Sequence, residues 1–96
     1  MSDIKSEEND SGGRYFYQIE NGPVAELTYS KAGETMIIVD HTDVPEAYKG
    51  QGIGLLLLTQ AVDDTRAAGK KIIPLCPFAN AQFHKHPEWR DVWSGH

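Results

Sequence analysis

An α+β fold built on a single mixed sheet is predicted for this chain, and three observations predict it. Residue alternation at period two, broken by turn signals, dominates the first half. A glycine-rich break, Gly50-Gln51-Gly52-Ile53-Gly54, then switches the pattern to a helical period. A further apolar run follows the helix, so a βα unit should return a fourth strand parallel to the third. The expected order is an antiparallel meander, a glycine-rich loop, a long helix, the parallel strand and a short C-terminal helix.

Residues 1–13 carry Asp3, Glu7, Glu8 and Asp10 against Lys5, with Ile4 as the large apolar residue. Such a segment buries too little surface to offset its ordering entropy. It reads as a disordered acidic tail, with Gly12-Gly13 as the hinge into a domain spanning 14–96. Tyr15–Ile19 is the first strand, and Asn21-Gly22-Pro23 turns the chain. In Val24–Tyr29 one alternate set, Ala25, Leu27 and Tyr29, is apolar, as in a strand buried on one face. Lys31–Glu34 turns again. Thr35–Asp40 is the third strand, and its run Met36–Val39 suggests cover on both faces.

From Ile53 to Ala68, Leu55, Leu58 and Val62 recur at helical spacing, as do Leu57 and Ala61. Asp63, Asp64 and Arg66 occupy the solvated side, and Gly69 stands where a helix ends. Lys71–Cys76 is the fourth strand. Pro74 puts it at an edge or bends it away, since proline donates no ladder hydrogen bond. Ala79–His86 is a short helix stopped by Pro87, and Trp89, Val92 and Trp93 cover the core.

The 96 residues allow one small domain, 40% hydrophobic. No apolar stretch is long enough to span a membrane, and no signal-peptide core is present, so an intracellular, cytoplasmic location is expected. A net charge of −5 argues against nucleic acid as the main partner. The single cysteine, Cys76, precludes an internal disulfide or a zinc site of paired cysteines. His41, His84, His86 and His96 lack metal-ligand spacing, so no metal is expected. His86 reads as a helix-end residue and His96 as part of a disordered terminus.

The chemistry concentrates in Lys49–Leu55. Glycines let successive backbone N–H groups turn toward one point, and a helix N-terminus adds partial positive charge. Lys49, Gly50, Gln51, Gly52, Ile53, Gly54 and Leu55 together form a candidate pyrophosphate cradle. The alternative is a flexible strand-to-helix connection. No Gly-Lys-Ser/Thr ends the loop, so it is not a Walker loop. Its Gly-x-Gly-x-Gly order is not the dinucleotide fingerprint.

Element order and motifs together resemble the GNAT acyltransferase superfamily. Its pyrophosphate loop, Arg/Gln-x-x-Gly-x-Gly/Ala, is matched by Lys49, Gly52 and Gly54, with lysine a charge-conserving departure. His41–Pro45, Pro74–Phe78 and His86-Pro87-Glu88 further resemble a small, single-cysteine, Yjdj-type N-acetyltransferase domain. The resemblance covers roughly residues 14–93. It implies acetyl-CoA as cosubstrate, its pyrophosphate on the loop and its pantetheine arm in a cleft where the third and fourth strands splay. Ile38, Val39, His41 and Val44 would line one side, and Cys76 and Pro77 the other. The implied reaction is acetyl transfer to an amine, carried by a macromolecule or presented by a partner chain. A module that binds CoA without turnover is the alternative.

Many members of that superfamily protonate the leaving CoA thiolate with a tyrosine on the last helix. Here Tyr15, Tyr17, Tyr29 and Tyr48 all precede the long helix. Cys76, just before a helix N-terminus that favours a thiolate, is the candidate acyl carrier, against the plainer reading of a small core residue. His41 would lie across the splay as base, or cap the loop through Thr42-Asp43.

Overall fold

The structure, a computed structural model, describes residues 4–94. Residues 1–3 of the expected tail and the expected disorder at His96 lie outside the described residues. Five strands form one sheet in chain order: β1 (Lys5–Glu8), β2 (Gly12–Gln18), β3 (Val24–Ala32), β4 (Met36–Asp43) and β5 (Lys71–Pro74). Neighbours are antiparallel except β4 and β5, which pair parallel from Met36–Lys71 to Val39–Pro74. Helix α1 (Ile53–Ala67) makes the crossover between them, and α2 (Pro77–Lys85) follows β5. Short 3-10 segments occupy Glu46–Tyr48 and Pro87–Val92.

The predicted alternation of β3 holds: Ala25, Leu27 and Tyr29 are buried while Val24, Glu26 and Thr28 are half-exposed. They meet Leu57, Leu58, Ala61 and Val62 of α1, all fully buried. Each such leucine contributes on the order of 2 kcal/mol by leaving water. Phe83, Trp89 and Val92 complete the core, with Phe83 and Trp89 edge-on at 5.2 Å. Gly69, at φ 71°, ends α1 while Lys70 N–H donates to Thr65 O at 3.0 Å, a left-handed cap.

Two expectations about strands are corrected. Met36–Val39 is covered on one face only: Ile37 and Val39 are buried, but Met36 and Ile38 are half-buried on a face that carries the polar Glu26, Thr28 and Ser30. The run has a continuous apolar sequence because Ile38 pairs across to Ser30 on that more open face. The fourth strand ends at Pro74 rather than Cys76, since Leu75 and Cys76 both direct their N–H groups to the single carbonyl of Val39, at 3.0 Å each. The chain turns there, and α2 begins at Pro77, where proline suits a first helical turn.

The larger correction concerns the N-terminus. Residues 5–8 and 12–13 are in the sheet: Lys5 to Glu8 pair with Phe16 to Gly13. The intervening turn is held by Asn9, whose Oδ1 accepts from Ser11 N, Ser11 Oγ and Gly12 N at 2.9, 3.0 and 3.1 Å. Arg14 bridges Glu7 and Glu26 at 3.1 and 2.8 Å and lies 4.2 Å above the Phe16 ring. Gly12 and Gly13 are not a hinge. A Cβ on Gly12 would sit 2.2 Å from Tyr29 O, and one on Gly13 2.7 Å from Tyr29 Oη. Those glycines serve close approach of β2 to β3. Backbone pairing and ion pairs supply what the apolar content lacked.

Candidate active site

The loop between β4 and α1 is held from behind by Tyr48. Its side chain is buried, its hydroxyl donates to Pro23 O at 2.7 Å, and it accepts from Ile19 N–H at 3.1 Å. Tyr17 meets the ring edge-on at 5.3 Å. The β2–β3 turn thus fixes where the loop starts. Gly50 and Gly52 then take φ values of 80° and 73°, a left-handed backbone that other residues resist. A Cβ on either would meet nothing within 4 Å, so both glycines are set by backbone conformation and open onto free space. Gly52 is the N-cap of α1 and makes no side-chain cap. The amides of Ile53, Gly54 and Leu55 have no partner inside the helix, as at any helix start.

These groups border a cleft of about 470 Å³. Of the sequence-predicted residues, Val44, Lys49, Gly50, Gly52, Ile53, Gly54 and Leu55 line it. Gln51 is turned back, its Nε2 donating to Ala47 O at 3.2 Å. Lys49 pairs loosely with Glu46 at 3.5 Å, both exposed. A larger cleft of about 710 Å³ lies along β5 and α2 and contains none of the loop residues. The smaller cleft is bordered by the loop and the start of α1, so it is the candidate site.

The far end of the cleft reaches Thr42 on β4, beyond the point where β5 stops pairing. Past Val39 the edge of β4 has no β5 partner as far as Asp43, which is the splay expected from Pro74. Thr42 Oγ1 lies 3.4 Å from Cys76 Sγ. Cys76 is the N-cap of α2, and its sulfur accepts from Ala79 N–H at 3.4 Å. The thiol is 6% exposed and packs within the core cluster, so it stands one side chain behind the cleft wall rather than in it.

His41 is not brought to Cys76. A β-bulge at Asp40 shifts the register, so that Thr28 pairs with His41 although Tyr29 pairs with Val39. The Asp40 carboxylate pins the bulge by accepting from Thr28 and Ser30 hydroxyls at 2.7 and 2.8 Å. The extra residue reverses side-chain parity. His41 faces outward with Thr28, while Thr42 pairs with buried Leu27 and turns to the cysteine. Among the described residues, no hydrogen bond meets the reading of His41 as base or as loop cap. Ile38 stays on the outer face, Val39 is fully buried and contributes its carbonyl, and Pro77 is exposed.

Four cleft residues escaped sequence reasoning: Thr42, Tyr48, Phe78 and Gln82. Phe78 and Gln82 stand four apart, on one face of α2, which was a usable signal. Thr42 had none, because a bulge leaves no mark in the residue pattern. The tyrosines of the sheet serve structure. Burial first, and then the hydrogen bond to Asp64 at 2.9 Å, holds the Tyr15 hydroxyl well above its ordinary range. Burial and Glu8 push Tyr29 up to about 12. Asp64 and Arg66 are likewise more than a solvated face, since Arg66 grips Asp91 at 2.7 Å and ties α1 to the C-terminal segment.

A family model described as GCN5-related N-acetyl-transferase matches residues 14–92. Among solved structures, the chain is similar to the NMR solution structure of a GCN5-like candidate N-acetyltransferase from Staphylococcus aureus. The two are 32% identical with a TM-score of 0.74, over 100% of this chain and 93% of that one. No curated protein matches the sequence significantly.

Proposed function

The chain belongs to the family of GCN5-related N-acetyltransferases, and we propose that it binds acetyl-CoA through Lys49–Leu55 and delivers acetyl to an amine by way of Cys76. The observation that carries this reading is the uncapped start of α1, where left-handed Gly50 and Gly52 open the loop onto the cleft. A diphosphate suits such a set of amides and the positive end of a helix. Lys49 adds charge at the rim. The edge of β4 beyond Val39 offers backbone groups to the amides of the pantetheine arm. That arm would run toward Thr42 and end near Cys76.

The proposed transfer has two steps. Cys76 Sγ attacks the thioester carbonyl, the carbon–sulfur bond to CoA breaks, and CoA leaves with the proton that Cys76 gave up. The amine then attacks acetyl-Cys76, the second carbon–sulfur bond breaks, and the surplus amine proton returns to the cysteine. The Thr42 hydroxyl, 3.4 Å from the sulfur, must swing aside or relay that proton. A single thiol serving both steps explains how the chain could work without a tyrosine after α1.

A second reading, a CoA-binding module without turnover, is favoured by a different observation. The cleft lining holds no carboxylate and no imidazole, so an arriving ammonium finds no base there. One pair of measurements separates the readings. Calorimetry with CoA should give saturable binding, and its absence from folded protein would sink both. Intact mass after incubation with acetyl-CoA should show an adduct of about 42 Da, absent in Cys76→Ala. Binding without the adduct, and without acetylation of any amine supplied, leaves the module reading.

A further inference from the structure

The larger cleft, about 710 Å³, lies on the outer side of β5 and takes no part in the site above. Its construction is specific. Ser94 N–H donates to Ile72 O at 2.8 Å, and Trp93 bridges Ile72 in parallel, so the C-terminal segment is pinned along the first part of the β5 edge. Further along, Pro74 presents no N–H, and the edge gives way to the cleft. The floor is aromatic: Trp93 lies 5.5 Å from Phe83 and edge-on to His84 at 4.9 Å. Leu75 stands at the rim, 66% exposed.

Charge decides what fits. The chain has 14 acidic residues against 9 Lys and Arg, yet among the described residues no Asp or Glu lines this cleft and Arg90 does. Arg14 and Arg66 are each engaged by carboxylates at 3.1 Å or closer. Arg90, by contrast, has no ion-pair partner among the described residues. Asn80 also lines the cleft. A recess of a few hundred cubic ångströms with a few converging polar groups is the usual form of a small-molecule site. A guanidinium unpaired among the described residues, at the cleft's edge, selects a carboxylate, which it can grip through two parallel bonds.

We infer that this cleft is a second ligand site, taking a small carboxylate with an aromatic or similarly flat apolar body. The body lies against Trp93, His84 and Leu75, and the carboxylate meets Arg90. The inference is independent of the acetyl-transfer reading, because it uses no residue that lines the cleft beside the loop.

The test uses indole-3-acetate as probe and indole-3-acetamide as its uncharged match, followed by NMR of the nitrogen-15-labelled full chain. The acetate should shift the Trp93 indole N–H and the amides around Asn80 and Arg90 saturably at millimolar concentration. The acetamide should bind roughly tenfold more weakly, the usual size of a lost charged hydrogen bond. Arg90→Gln should bring the acetate down to the acetamide's level while the melting temperature and CoA binding stay unchanged, since Arg90 is exposed. Equal binding of acid and amide overturns the carboxylate assignment. Shifts confined to Lys49–Leu55, or no saturable shift, overturn the site. Concentration-dependent shifts of the same residues without probe would assign the cleft to a second copy of the chain instead.

Discussion

Two glycine-bearing regions of this domain make opposite use of the same residue. At Gly12 and Gly13 the missing side chain leaves room for a neighbouring strand, with Tyr29 O only 2.2 Å from where a Cβ would stand. At Gly50 and Gly52 nothing lies within 4 Å of that position, and the glycine is required by positive φ. The surroundings differ in the same sense. The Asn9 carboxamide oxygen accepts from two backbone N–H groups of the first region, those of Ser11 and Gly12, and from the Ser11 hydroxyl, whereas α1 begins without a side-chain cap. Crowded glycine with satisfied amides is packing. Open glycine at positive φ beside a helix start leaves room for the proposed ligand. The first region should therefore govern stability and the second binding, and each can be broken without the other.

The largest effect is expected from Gly12→Val. The new side chain cannot avoid the Tyr29 carbonyl, so β1 and β2 must separate from β3 at that end. Overpacking of this kind costs about 3 kcal/mol, which for a domain of this size lowers Tm by roughly 15 °C. CoA affinity of the protein that remains folded should not change. An undisturbed Tm would mean that the N-terminal hairpin adds nothing to the fold.

Gly52→Ala tests the other half. The methyl group meets no atom, so the cost is the left-handed backbone alone, about 1 kcal/mol. Binding should suffer more, since the methyl projects into the space a diphosphate would take; CoA affinity should fall on the order of tenfold by calorimetry. If Gly52→Ala loses stability and keeps affinity, the contrast between the two regions is wrong.

The contrast also shows what could be read from residues alone. The switch from period two to a helical period, the cap at Gly69 and the break at Pro74 are local, and each was legible. So was the left-handed turn of the glycine loop, because its glycines act through their own φ. The hairpin Lys5–Gln18 was misread because its order comes from pairing with β3 and from Arg14 reaching both Glu7 and Glu26. The pairing of Thr42 rather than His41 with Cys76 rests on the bulge at Asp40, a register property held by hydroxyls on another strand. Composition correctly marked the N-terminal segment as poor in apolar residues. It could not report that the segment lies along a sheet edge.

A smaller effect should come from Tyr29→Phe, which removes the 3.1 Å hydrogen bond to Glu8. At neutral pH the loss is about 1 kcal/mol. The pH dependence is more informative. The tyrosine's pKa rises on folding from 10.0 to about 12, chiefly through burial and then through Glu8. A raised value means that the folded state holds the proton more tightly. The associated stability is present below pH 10 and is lost as the pH climbs toward 12. Denaturation across that window should show the wild type weakening, and Tyr29→Phe weakening less steeply, with the remainder due to Tyr15. Parallel curves would separate the hairpin's stability from this hydroxyl.

The smallest expected effect belongs to Lys49→Gln, and it sharpens the comparison most. Lys49 sits at the loop's rim, its side chain 66% exposed, and its Glu46 partner at 3.5 Å is 89% exposed. A pair so open to water contributes at most a few tenths of a kcal/mol, so Tm should not move. If the cradle is made mainly of backbone amides, losing this charge should weaken CoA binding only a few-fold. The loss should shrink further in molar salt, where exposed charges are screened within about 3 Å. Gly52→Ala should retain its deficit at any ionic strength, because its cause is steric. Titrating wild type and both variants with CoA at low and high salt distinguishes the two mechanisms. A Lys49→Gln loss equal to that of Gly52→Ala at low salt, vanishing at high salt, would show that the site holds its ligand by a side-chain charge. The open glycines would then serve only to turn the chain into α1.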